Sequence, residues 1–307
     1  MNYLKALYKN TLLKLSKSKI FIFIDQLIYR INTHNISQSA ALMTYYFILS
    51  VFPFIITLLS VVSFIDINLV NKTINLISNL PDEISKILLP FASDLVKTSS
   101  GSLFGFALLG ALFTSSSGLT PAISSINNSF YSGSKDHNFI IKRLLSIIFI
   151  IFLIFAIIIN FAFTIFGDYL DNLLNKYIQL PEFLLSLLSF KNLISFGIIL
   201  LIFISFFYFS LKDKKEANIK LYHMIPGSLF TSVGIYIFSY LFSVYVNNFS
   251  KYTITYGSLG AVIVFLVWLY LVNNLILIAN DINASFYYLQ KNDFKLDKNY
   301  SFFYKSE

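Results

Sequence analysis

Long stretches of this chain carry no Asp, Glu, Lys or Arg, and that constrains its fold more than any other feature. Charge-free intervals run from Arg30 to Asp66, Lys97 to Lys135, Arg143 to Asp168, Lys191 to Lys212, Lys220 to Lys251 and Lys251 to Asp281. A bilayer core about 30 Å thick is crossed by about 20 apolar residues, each rising about 1.5 Å. Every interval is long enough. The expectation is an all-α integral membrane protein, a six-transmembrane-helix bundle with spans near 38–65, 101–128, 144–166, 191–211, 225–247 and 256–280.

Composition points the same way. The chain is 56% hydrophobic and 12% charged, where soluble domains carry about 25% charged residues. It reads as a single membrane domain over 1–307: a basic amphipathic segment at 1–37, the bundle at 38–280 and a tail at 281–307. It has no cysteine, so disulfide and thiol chemistry are excluded.

The start does not read as a cleavable signal, because Ile20 to Ile24 is a short apolar run followed by Asp25 and Arg30. Residues 3–31 alternate Leu, Ile and Phe with Lys5, Lys9, Lys14, Lys17 and Lys19. That pattern predicts a basic amphipathic helix lying on an anionic leaflet.

Six spans put both termini on one side of the membrane. That side holds six basic residues before the first span, three in 131–143, four in 212–224 and four in the tail, making 17 of the 23 Lys and Arg. Lys72, Lys86, Lys97, Lys176, Lys191 and Lys251 fall opposite. The excess belongs in the cytoplasm, so both termini are expected there. The net charge of +8 is then an orientation signal, and no nucleic-acid partner is expected. Residues 66–100 and 167–190 mix apolar positions with Asp, Glu and Lys, and are expected to be short external amphipathic helices.

Within the spans, polar and helix-bending residues are the candidates for a cavity or a gate. The first span holds Tyr45, Tyr46 and Pro53, and a proline kinks a helix by freeing a carbonyl. The second holds Thr114, Ser115, Ser116, Ser117 and Gly118 before Pro121, small residues that permit close packing or line a polar path. Asn127, Asn160, Asn273 and Asn274 are further polar interruptions, and Tyr256 and Gly257 stand at the start of the last span. Asp281 is expected at the membrane boundary, where its carboxylate opposes the helix dipole and needs a cation. Lys142 or Arg143 is the expected partner.

Several local patterns resemble one family of bacterial membrane proteins, the YihY/virulence factor BrkB family. The match is densest over 226–284: Pro226-Gly227, Tyr245, Phe249, Tyr252, Tyr256-Gly257-Ser258-Leu259, Trp268, Tyr270 and Asp281-Ile282-Asn283-Ala284. Ala40 to Tyr46, Phe52-Pro53, and Asn127 before Phe130 are similar to it as well. The chain departs from the family pattern at Ala279 and Asp281, where Gly and Glu are usual, and at Phe113 and near Tyr236, where Trp is common. The resemblance implies six helices in a bacterial cytoplasmic membrane; some members carry an old ribonuclease label.

That label finds little support in the residues. His34, His137 and His223 sit beside different helix ends without ligand-spaced partners, and no Ser-His-Asp order, Walker loop or His-Glu-x-x-His is present. They read as solvated or interfacial histidines, and neither enzymatic activity nor a cofactor is expected. No ionisable residue falls at mid-membrane, so an ion-coupled pump lacks its usual carrier. Uncharged polar lining suits a transporter of an amphipathic or lipid-like substrate, with membrane lipids as partners. The alternative is a membrane scaffold. Oligomerisation is not legible.

Overall fold

The computed structural model describes residues 18–65, 102–130, 136–177, 190–248, 258–295, 297 and 301–303. Among these every regular element is helical. The helices are α1 (Lys19–Thr33), α2 (Ile36–Ile65), α3 (Ser102–Ser115), α4 (Thr120–Phe130), α5 (Phe139–Tyr177), α6 (Phe190–Ser210), α7 (Ile225–Asn248) and α8 (Ser258–Lys291). Two 3-10 turns, Ser116–Gly118 and Leu221–Met224, join α3 to α4 and lead into α7. Each expected span falls on one helix or, for the second, on a pair. Among the described residues, Phe139–Ile159, Leu193–Ser210, Leu221–Phe242 and Ile263–Lys291 are long and apolar enough to cross a membrane.

The second expected span is not one continuous helix. Ser115, Ser116 and Ser117 turn their hydroxyls back onto the carbonyls of Leu112, Phe113 and Thr114, at 3.1, 2.7 and 2.5 Å. Such back-bonding competes with the helical ladder and bends it. Pro121 then has no N–H to offer the carbonyl one turn earlier. The chain tightens into a 3-10 turn, with the Leu119 N–H on the Ser116 carbonyl at 3.2 Å. Gly118 lets this turn lie against α2: a Cβ there would stand 2.7 Å from Ser50 Oγ.

Two other expectations change. Residues 167–177, expected to begin a separate external helix, continue α5, whose 39 residues span about 58 Å at the α-helical rise. Asp168, Asp171 and Lys176 therefore ride on an extension well beyond a core about 30 Å thick. The expected helices at 66–100 lie outside the described residues, as does most of 178–190. At the other end α1 packs on α8 rather than only resting on a surface. Asp25, Gln26 and Arg30 are buried, while Ile20 and Ile24 point outward.

The core lies where α2, α4, α5, α6 and α8 meet, around Met43, Ile123, Ile126, Ile154 and Phe207. Outward faces are apolar instead of charged: Leu109, Leu201, Tyr240 and Leu241 are all more than half exposed. Exposed apolar area on that scale is what a lipid solvent covers. α7 packs tightly on α8 at Gly227, where an added Cβ would clash with the Ala279 carbonyl oxygen.

Candidate functional site

Polar side chains concentrate at one end of the bundle, and the last turns of α8 organise them. α4 ends there, and the final carbonyls of a helix have no partners within it. Arg30 and Tyr288 supply two of them, and Asn280 bonds a carbonyl just before. Asn280 Nδ2 donates to the Ile126 carbonyl at 3.3 Å, Arg30 Nη1 to Ser129 at 2.6 Å and the Tyr288 hydroxyl to Phe130 at 2.8 Å. The Arg30 guanidinium also lies 4.5 Å from the centre of the Tyr288 ring. One residue beyond Ile282, Asn283 Oδ1 accepts the Gly227 N–H at 2.7 Å and so caps the start of α7. The end of α8 thus ties α1, α4 and α7 together.

Asp281 sits inside this network, fully buried. Its Oδ1 is 2.8 Å from His34 Nδ1, and its Oδ2 has no hydrogen-bond partner among the described residues. His34 occupies the bend between α1 and α2, next to Asn35, whose φ of 48° is left-handed. Asparagine tolerates that conformation better than most residues. Beside the pair opens a cavity of about 230 Å³, lined by Thr33, His34, Ser39, Ser125, Asn128 and Ser129, with Ile36 and Leu277 as its apolar wall.

A second polar station lies at the start of α5. Asp136 accepts from Lys142 Nζ at 2.8 Å and from the His137 N–H at 2.7 Å. Asn127 reaches it at 3.4 Å and accepts the Lys212 N–H at 3.1 Å, while Lys212 Nζ donates to the Asp136 carbonyl at 3.0 Å. Burial pushes the Asp136 pKa up, but the bonds from Lys142, Ser124 and His137 and the Lys142 charge outweigh it, holding the group below its ordinary 3.8. A carboxyl more acidic when folded contributes stability above its unfolded pKa and loses it as pH falls through the folded value. Lys142→Met should therefore lower the melting temperature near pH 6, with the gap to wild type narrowing as pH falls below the ordinary carboxylate range. A gap independent of pH would contradict this pairing.

The C-terminal segment returns to α1. Buried Asp25 accepts from the Ser301 hydroxyl at 2.6 Å and from the Phe302 and Phe303 N–H groups at 2.9 and 3.0 Å. The rings of Phe21 and Phe303 stack with centroids 5.7 Å apart.

The profile of the virulence factor BrkB family matches residues 27–300. The chain belongs to that family. It is 29% identical over 263 residues to the putative ribonuclease-like protein YfkH of Bacillus subtilis (strain 168), covering 85% of this chain and 94% of that one. A UPF0761 membrane protein of Coxiella burnetii (strain RSA 493 / Nine Mile phase I) is 38% identical over 78 residues, 25% of this chain and 28% of its own. Another from Psychrobacter sp. (strain PRwf-1) is 30% identical over 92 residues, 30% of this chain and 16% of its own. No solved structure matches. In this BrkB-family chain two of the patterns that carried the resemblance meet in space, since Gly227 of Pro226-Gly227 donates its N–H to Asn283 of Asp281-Ile282-Asn283-Ala284.

The sequence candidates are distributed differently from the cavity. Tyr45 is exposed and meets Tyr46 edge-on at 5.4 Å, and Pro53 lies half-buried within α2. Ser115, Ser116 and Ser117 bond their own helix, as does Asn274, whose Nδ2 donates to the Tyr270 carbonyl at 2.8 Å. Asn273 donates to Thr44 Oγ1 at 3.0 Å and ties α8 to α2. Asn127 belongs to the Asp136 station and Asn160 lies on α5. Tyr256 and Gly257 fall outside the described residues. Among the described residues, none of these candidates lines the cavity beside His34.

The expectations for Asp281 and the histidines need correction. α8 continues to Lys291, so Asp281 stands almost three turns before the helix end, beyond the reach of the terminal dipole. Its partner is His34, because Lys142 is held by Asp136 and Arg143 stacks on Phe113. The histidines are not simply solvated. His34 pairs with Asp281, His137 Nε2 lies 3.1 Å from the Ser210 carbonyl oxygen, and buried His223 accepts the Lys220 N–H at 2.9 Å.

Proposed function

We propose that the chain is a six-span protein of the bacterial cytoplasmic membrane, with both termini in the cytoplasm, that moves an amphipathic or lipid-like substrate. The cavity beside His34 and Asp281 carries this reading. Its wall combines hydroxyl, amide and imidazole groups with Ile36 and Leu277, a surface suited to a polar head joined to an apolar tail. The buried Asp281 side chain next to it has an oxygen without a partner among the described residues. Such a group is costly to fold around, and sites of that kind cluster where a protein works. In this reading the His34–Asp281 pair acts as a gate at the α1–α2 bend, and the cavity receives the head group.

We place the chain outside the enzymes despite the ribonuclease-like name of its Bacillus relative. Its three histidines make separate structural contacts, and among the described residues no three His, Asp or Glu side chains gather as metal ligands would. The scaffold reading keeps one observation in its favour. Ser115, Ser116, Ser117 and Asn274 are satisfied within their own helices, as packing groups would be.

Proteoliposomes separate the two readings. With head-group-labelled phospholipid in the membrane, wild-type protein should speed the appearance of inner-leaflet label outside. Ser125→Phe, which fills the cavity, should slow that exchange about tenfold, the cost of losing a fitted site, without changing the folded yield. Exchange no faster than in protein-free vesicles would favour the scaffold.

A further inference from the structure

Cations at the polar end mostly reach oxygen atoms. Lys142 has Asp136 at 2.8 Å and Ser124 Oγ at 3.0 Å, and Arg30 has the Ser129 carbonyl at 2.6 Å. Arg143 differs. It is half-buried on α5, one residue and about 100° around the helix from Lys142. It makes no hydrogen bond or ion pair to the described residues, and its Nε is shielded from solvent without an acceptor. Its guanidinium instead lies 3.8 Å from the centre of the Phe113 ring on α3.

The surroundings of that contact face outward and are apolar. Phe113 is 51% exposed, and Leu109, one turn away on α3, is exposed too. On α5, Ile140, Leu144, Ile148 and Phe152 are exposed at a spacing of four residues, an apolar stripe that begins beside Arg143. A planar guanidinium carries five N–H donors in a fork that matches phosphate oxygens, and holding it part-buried without an acceptor is unfavourable. An anion from outside the chain would remove that deficit. A free anion would leave the stripe unused, whereas a phospholipid supplies both the phosphate and the acyl chains.

We infer that Arg143 and Phe113 form a head-group site for an anionic phospholipid, its phosphate on the guanidinium and its chains along the α5 stripe. The site is separate from the cavity beside His34 and does not depend on transport. The Phe113 ring, 3.8 Å from the guanidinium, forms the floor of the site.

Native mass spectrometry of the full chain, reconstituted with phosphatidylglycerol and phosphatidylcholine in equal amounts and then stripped with detergent, tests the site. Wild type should retain phosphatidylglycerol in preference. Arg143→Gln should reduce that retention about tenfold, as expected for one charge-assisted bidentate contact. A second arm needs no change at Arg143. In a Trp268→Phe background, Phe113→Trp keeps an aromatic platform and reports on its neighbours; brominated phosphatidylglycerol should quench it more than brominated phosphatidylcholine. Equal retention by wild type and Arg143→Gln, or equal quenching by the two lipids, overturns the site. Displacement of the lipid by millimolar inorganic phosphate would assign it to free anions and overturn the lipid reading.

Discussion

Replacing Gly227 with alanine will remove most of the folded protein. The new Cβ would meet the Ala279 carbonyl oxygen at 2.0 Å and Asn283 Oδ1 at 2.6 Å. The first is backbone in the middle of α8, so it has no rotamer by which to move aside. The second is the acceptor for the Gly227 N–H, and pushing it away would leave the first turn of α7 uncapped. Overpacking and the lost buried hydrogen bond together should cost about 3–5 kcal/mol. Gly110→Ala is the control. Among the described residues nothing lies within 4 Å of a Cβ at that position, and alanine in a helix is favoured over glycine by about 1 kcal/mol. Thermal melts of the two variants in the same detergent should diverge, with Gly227→Ala far below wild type and Gly110→Ala at or above it. A wild-type melt for Gly227→Ala would mean that α7 and α8 are not packed this closely.

His34→Ala has the next largest expected effect. It strands the fully buried Asp281, whose other oxygen has no partner among the described residues. Leaving a buried polar group without its hydrogen bond costs about 1–3 kcal/mol. Asp281→Asn keeps the shape, retains a hydrogen bond to His34 and should cost about 1–2 kcal/mol. Removing both partners should recover part of the His34→Ala loss, and a double-mutant cycle measures how much. Strict additivity of the single changes would mean that the two side chains are not coupled.

The membrane-facing parts of this molecule were open to sequence reasoning because the bilayer imposes a simple rule. Charge-free intervals located the helices, although α5 starts before Arg143 and runs past Asp168, and α8 runs past Asp281. Interactions between distant residues follow no such rule. Asp281 could be singled out as a charge at the edge of an apolar run, but its partner lies 247 residues earlier, and proximity in sequence pointed to the wrong cations. Helix length misled as well. Ser115 to Gly118 read as close-packing residues inside a continuous span, yet their back-bonds and Pro121 end the helix there. The amphipathic pattern of 3–31 was visible; that Asp25 and Arg30 would face inward was not. Their burial depends on the Ser301–Phe303 segment and on the end of α4 supplying partners. Pro226-Gly227 and Asn283 were noticed as separate pieces, and only the fold shows that one caps the other.

Cysteine accessibility at the cavity tests the central claim, a polar cleft that opens at the cytoplasmic end of the bundle. The chain has no native cysteine, so Asn128→Cys and Ser39→Cys each place a single thiol on the cavity wall. A membrane-impermeant maleimide should label both in inverted membrane vesicles and neither in intact cells, and an amphipathic substrate should protect them. Labelling of either position in intact cells would contradict the orientation and the location of the cleft together.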